Sequence, residues 1–215
     1  MEMNMRASLP GLAVAAFLLT SVLPGAAALA QRPARAPATR DPGAAAAGTY
    51  KLDPDHTSVV VRVPHEGMSF STFRFNVVSG TLNWNPGQLQ SSKVDITVDP
   101  KSIATPVAGF GDQLSGERFL NSAKFPEVKF VSTAIRQTGP TSGEITGELT
   151  FLGQTKPLVI AAELVGAGSN MRGVSSIGFK GTAKFNRTDF GMRTMTPVVG
   201  DEVELVIDTQ FNRQG

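Results

Sequence analysis

His56 and His65 are the only histidines in the chain, and cysteine is absent. In one uninterrupted strand they would lie on opposite faces, because side chains alternate at every residue. A metal pair in a strand needs i and i+2, so no metal site is expected. His56 is expected to make a structural hydrogen bond near a strand end. His65 follows Pro64 and shares the parity of Val59, Val61 and Val63, which aims it inward with them. Asp53 and Asp55 could do acid–base work, but around Pro54 they read first as a turn. No serine sits in a G-x-S-x-G elbow, and no Gly-rich loop leads to Lys-Ser or Lys-Thr. Asp189-Phe190-Gly191 has the form of a kinase magnesium motif without the other kinase elements. Asn186-Arg187-Thr188 is a glycosylation sequon in form only. Without cysteine there is no thiol catalysis, no disulfide and no Cys-based zinc or iron–sulfur site. The residues therefore predict neither a catalytic constellation nor a cofactor.

The segments that would position such groups alternate with period two. Val59, Val61 and Val63 alternate with Val60 and Arg62, Val94, Ile96 and Val98 with Asp95 and Thr97. Val203, Leu205 and Ile207 alternate with Glu204, Val206 and Asp208. This is the signature of half-buried strands, packed on one face and wet on the other. Turn signals such as Asn85-Pro86-Gly87, Thr138-Gly139-Pro140 and Gly166-Ala167-Gly168 separate them. Strands are predicted at 50–65, 72–84, 90–98, 127–136, 143–152, 157–165, 174–186 and 201–211. Residues 102–125 lose the alternation. Phe110 and Leu114 are spaced for a helical turn, so a long loop with a short helix is expected over the open end of the sheet. An all-β sandwich and a closed barrel both fit this pattern. Gly147, Ala162, Gly181 and Ala183 fall on the apolar parity, where small side chains could leave room inside. A membrane barrel would need aromatic girdles, which one Trp and one Tyr do not provide.

The first thirty residues carry Arg6, an apolar heart from Leu12 to Leu23, the break Pro24-Gly25, and Ala28-Leu29-Ala30. That order predicts a secretory signal peptide over 1–30, cleaved near Ala30, and a periplasmic or secreted product. The apolar run is shorter than the ~20 residues of a membrane-spanning helix, and no later run resembles it. A lipoprotein anchor would need a cysteine. Residues 31–48, rich in Ala, Pro and Arg, are expected to form a disordered spacer ahead of a single domain at 49–213. From residue 49 onward there are 16 Lys or Arg and 16 Asp or Glu. No basic face points to nucleic acid.

The chain resembles the YceI-like family, lipid- or polyisoprenoid-binding proteins of the periplasm. The resemblance runs from Tyr50 to about Phe211. It opens on Tyr50-x-x-Asp53-x-x-His56-Thr57-Ser58, continues through Asp112-x-Leu114 with Phe119, and takes in Lys124-Phe125-Pro126-x-Val128-x-Phe130. Gly147-x-Leu149-Thr150-x-x-Gly153, Asn186-Arg187-x-Asp189-Phe190-Gly191 and Val199-Gly200-Asp201 complete it. Val61, Phe73 and Leu120 depart from the family pattern, all at apolar positions.

The resemblance implies an all-β domain: one antiparallel, eight-stranded, lipocalin-like barrel holding a long-chain isoprenoid or fatty-acyl amphiphile as carrier or buffer. Burying each methylene contributes about 0.8 kcal/mol, so a long chain binds without many polar contacts. Val61, Val63, Phe75, Ile96, Val98, Phe130, Ile177, Phe179 and Phe185 are the inward candidates by parity. Phe110 and Leu114 would cover the mouth, and His65 would be the polar group beside it. A homodimer is left open. Two rival readings are a stress-related interaction protein with a filled barrel and an enzyme that uses His65 as a base on bound lipid.

Overall fold

The computed structural model describes residues 38–215. The expected signal peptide and residues 31–37 of the expected spacer lie outside them. Eleven strand segments form one antiparallel sheet that closes on itself. They are β1 (Gly48–Leu52), β2 (Ser58–His65), β3 (Ser69–Phe75), β4 (Val78–Trp84), β5 (Lys93–Val98) and β6 (Ile103–Ala104). After the helix α1 (Phe110–Ser115) come β7 (Val128–Gln137), β8 (Ser142–Phe151), β9 (Gln154–Ser169), β10 (Ser175–Asn186) and β11 (Glu202–Arg213). Around the ring the order is β1-β4-β5-β7-β8-β9-β10-β11, and β11 returns to β1. Closure rests on Tyr50↔Arg213, Lys51↔Asn212 and Leu52↔Phe211. A closed ring leaves no sheet edge at this level, and it decides for the barrel over the sandwich.

The expected eight strands are recovered as eight staves, three of them interrupted. β1 and β2 follow one another along β11, at Leu52↔Phe211 and Val61↔Leu205. Asp53-Pro54-Asp55 breaks that stave. Pro54 has no N–H for the ladder, and the Asp53 carboxylate accepts from the Asp55 N–H at 3.1 Å, turning the chain through one 3₁₀ turn. β3 and β4 form the second interrupted stave and β5 and β6 the third. Alternation carries through. Val59, Val63, Val94 and Val98 are buried, while the outer face carries charge pairs such as Lys184–Glu202 at 2.7 Å and Lys180–Glu163 at 2.9 Å.

The two ends of the barrel differ. At one end, called the loop end, lie the β2–β3 turn and the 187–201 connection. β6 pairs only with β3 there, and residues 105–127 with α1 stand beside its free edge. α1 starts after Gly109, whose φ of 75° is open to glycine without strain. Gly111 lies so close to β6 that a Cβ would be 2.8 Å from the Ile103 carbonyl oxygen. At the other end, the base, Tyr50, Ile177, Ala45 and Ala167 are at most 1 % exposed. The Tyr50 hydroxyl bonds the Ala46 carbonyl at 2.6 Å and Ser175 Oγ at 2.9 Å.

The expectation of a spacer through residue 48 needs correction for residues 38–48. Thr39 and Ala167 exchange two backbone hydrogen bonds, of 2.9 and 2.7 Å. Arg40 pairs with Glu163 at 2.7 Å, Pro42–Ala44 form a 3₁₀ turn capped by Asp41, and Ala45 is fully buried. Backbone pairing and one small side chain anchor this strap. Neither leaves a hydrophobic period in the sequence.

Candidate functional site

The staves enclose a cavity of about 600 Å³, within the range of small-molecule pockets. Its wall is apolar because every stave turns its Val, Ile, Leu or Phe parity inward. Val61 and Val63 of β2, Phe75 of β3, Ile96 and Val98 of β5, Phe130 of β7, and Phe179 and Phe185 of β10 all line it. Phe110 and Leu114 of α1 and His65 at the end of β2 line it too.

Ile177 does not. It faces inward but lies too near the base, at 1 % exposure between Ala167 and Phe211 in the ladder, and belongs to the plug below the cavity. Parity fixes the face of a strand residue and carries no information about its depth along the barrel.

Other lining residues were not singled out from the sequence. Leu82 and Trp84 share the parity of Val78, and Leu149 and Phe151 that of Ile145, so alternation could have found them. Phe119 and Leu120 lie in the aperiodic loop, and only the fold brings them to the wall. Phe73 of β3 meets Phe110 of α1 with ring centroids 6.0 Å apart. Phe151, Phe185 and Phe190 form a cluster with centroids 5.4 to 6.1 Å apart.

The small residues divide. Ala162 and Gly181 are part of the wall and leave it thin there. Gly147 instead makes space for a ring: a Cβ would stand 2.5 Å from Phe130 Cζ and 2.5 Å from the Val131 carbonyl oxygen. Ala183 is buried outside the lining.

Polar groups are few. The His65 ring makes no hydrogen bond among the described residues, and its backbone bridges to Val199. Arg187 is 3 % exposed and lines the same end. Its guanidinium donates five hydrogen bonds, to the carbonyls of Gly200, Met192, Thr194 and Val199 and to Thr196 Oγ1, at 2.8 to 3.3 Å. Burial pulls its pKa down, and the Asp201 charge opposes that. Asp201 is engaged elsewhere, accepting from the Thr188 N–H and Oγ1 at 2.9 and 2.7 Å. Lys129, Arg136 and Lys180 contribute to the wall, but their head groups pair with Glu127, Glu144 and Glu163. Among the described residues no aspartate or glutamate is part of the lining. Trp84 Nε1 is buried without an acceptor, its ring edge-on to Phe179 at 5.7 Å. His56 makes its expected bond, Nδ1 to Asp53 Oδ2 at 3.0 Å, on the outside. Among the described residues no cluster of three His, Asp or Glu could hold a metal ion, and no helix is long and apolar enough to cross a membrane.

A closed antiparallel barrel with an apolar interior and a helix at one end is the lipocalin-like class of cavity-holding domain. The model of the YceI-like domain matches residues 50–211, and the chain belongs to the YceI-like family. It is 34 % identical over 174 residues to Protein YceI of Salmonella arizonae, covering 80 % of this chain and 91 % of that protein. Burkholderia cenocepacia BcnA superposes with a TM-score of 0.67 at 21 % identity, over 74 % of this chain and 98 % of that one. A polyisoprenoid binding domain from Saccharophagus degradans, implicated in plant cell wall breakdown, has the same fold. Its TM-score is 0.57 at 11 % identity, over 77 % of this chain and 98 % of that one.

Proposed function

We propose that this protein is an exported binding protein that holds a long-chain isoprenoid or fatty-acyl amphiphile in its barrel, as a periplasmic carrier or buffer. The observation that carries the reading is the apolar cavity of about 600 Å³. An empty apolar cavity forfeits dispersion contacts and costs stability, and an apolar chain restores them. The cavity favours an occupied barrel over the filled barrel of an interaction protein. The polyisoprenoid binding domain of Saccharophagus degradans, which shares the fold, lends support at the level of fold. Binding is also favoured over lipid catalysis. A general base needs an orienting partner on its second nitrogen, and His65 has none among the described residues.

Native mass spectrometry of protein purified from its own host should detect a bound lipid of the prenyl or acyl class. A uniformly empty barrel that also takes up neither prenyl quinones nor fatty amides would overturn the reading. N-terminal sequencing of the same material tests the export step, with a mature chain beginning after Ala30 as the expected result.

A further inference from the structure

We propose that the cavity selects amphiphiles with an anionic head group, a carboxylate or a phosphate monoester, and seats that group at the loop end beside His65 and Arg187. The proposal rests on the lipid-holding reading above and deepens it.

The first ground is the sign of the wall. Among the described residues its only inward formal charge is Arg187, and no aspartate or glutamate lines the cavity. The second ground is that this charge has no direct ion pair and is offset only from a distance by Asp201. A buried guanidinium normally faces a carboxylate, because burial without an opposite charge is costly. Among the described residues Arg187 has no carboxylate within 4.0 Å, although the other lining cations, Lys129, Arg136 and Lys180, each have one. Its five N–H groups are used by four carbonyls and one hydroxyl. They satisfy its hydrogen bonds without neutralising its charge, and Asp201 reaches it only through space, its carboxylate being held by Thr188. The third ground is that a free polar group stands next to it. Val199 accepts from Arg187 Nη2 at 2.8 Å and bridges to the His65 backbone. The His65 side chain, half-buried in the same wall, has no protein partner among the described residues.

The division of labour follows. His65 offers the direct hydrogen bond to an anionic oxygen. Arg187 has no donor left to give and acts through its field, as a positioning residue that also holds Val199 in place. A neutral alcohol gains only the hydrogen bond, and an ammonium is repelled. The apolar chain then runs from the loop end toward Trp84 near the base.

The test uses the wild-type protein and ligands that share one chain. Dodecanoate, dodecanamide, dodecanol and dodecylamine are titrated at neutral pH, with farnesyl monophosphate against farnesol as a second pair. Trp84, the only tryptophan in the chain and part of the wall, reports binding by fluorescence. The carboxylate and the monophosphate should each bind about tenfold tighter than the matching alcohol, the scale of a hydrogen bond to a charged group. The amine should bind weakest. Preference for only one of the two anions identifies the source, acyl or prenyl. In His65→Gln the anion-to-alcohol ratio should fall. Alcohols binding as tightly as the anions would overturn the head-group proposal while leaving the lipid-holding reading intact. Binding of none of these ligands would sink both.

Discussion

Phe73 and Phe110 meet with ring centroids 6.0 Å apart and planes inclined at 57°. One ring belongs to the barrel wall and the other to the only α-helix among the described residues, so this pair joins the α1 segment to β3. Both rings line the cavity.

Removing one ring should loosen that closure more than it harms the fold. Phe110→Ala is expected to raise the dissociation rate of a bound lipid several-fold. Its stability cost should be about 1–3 kcal/mol, below the usual cost of deleting a fully buried ring, because Phe110 is only half-buried. Stopped-flow Trp84 fluorescence and urea unfolding measure the two separately. An unchanged off-rate would show that the ligand leaves elsewhere.

Arg187 ties the 187–201 connection together through five hydrogen bonds. Arg187→Met would leave four carbonyls of half-buried residues without their donor, at about 1–3 kcal/mol for each that finds no water. A loss of at least about 3 kcal/mol is expected in denaturant titration. Arg187→Lys should rescue little of it, since one ammonium with three donors cannot reproduce the planar fork.

Acid stability should report Asp53. Burial alone would raise its pKa, but hydrogen bonds from His56, Asn212 and the Asp55 N–H outweigh it and hold the carboxyl below its usual value. A depressed carboxyl contributes stability above its unfolded pKa and loses it as pH falls through the folded one. Unfolding free energy should therefore decline below about pH 4. In Asp53→Asn that part of the decline should be absent. A mutant pH profile parallel to wild type over this window would contradict the assignment.

Two small residues on the inward parity should respond in opposite ways. Ala162→Phe projects a ring into the cavity, so it should abolish lipid uptake while thermal stability is kept or raised. Gly147→Ala should destabilise by about 1–3 kcal/mol, as overpacking does, because its methyl would strike the Phe130 ring and the Val131 backbone. Calorimetry and ligand titration on the pair distinguish an open interior from a filled one.

Local pattern carried much of this fold. Strand alternation is a repeat of two residues, so Val59, Val61 and Val63 announce one packed face without knowledge of what packs there. All eight staves were legible in this way, as were the Asp53 turn and the helical spacing of Phe110 and Leu114. Eleven of the twelve residues expected at the cavity stand in its wall. The exception, Ile177, shows the boundary of the method, because parity says in or out and depth depends on stagger between strands. The strap at 38–48 was invisible because backbone pairing to Ala167 needs no particular side chain. Arg187 was passed over as part of a sequon, since its significance comes from acceptors spread over residues 192–200.

The sequence by itself determined which residues alternate, where the chain turns, and that no thiol or histidine-cluster chemistry is available. Those properties depend on neighbours a few positions apart. Only the tertiary structure decided that the sheet closes through Tyr50, Lys51 and Leu52 on β11, and that the loop bearing Phe119 and Leu120 completes the wall. It also decided that, among the described residues, one buried cation lines a mostly apolar interior. Each of these joins residues tens of positions apart, and their mutual distances exist only once the barrel is closed.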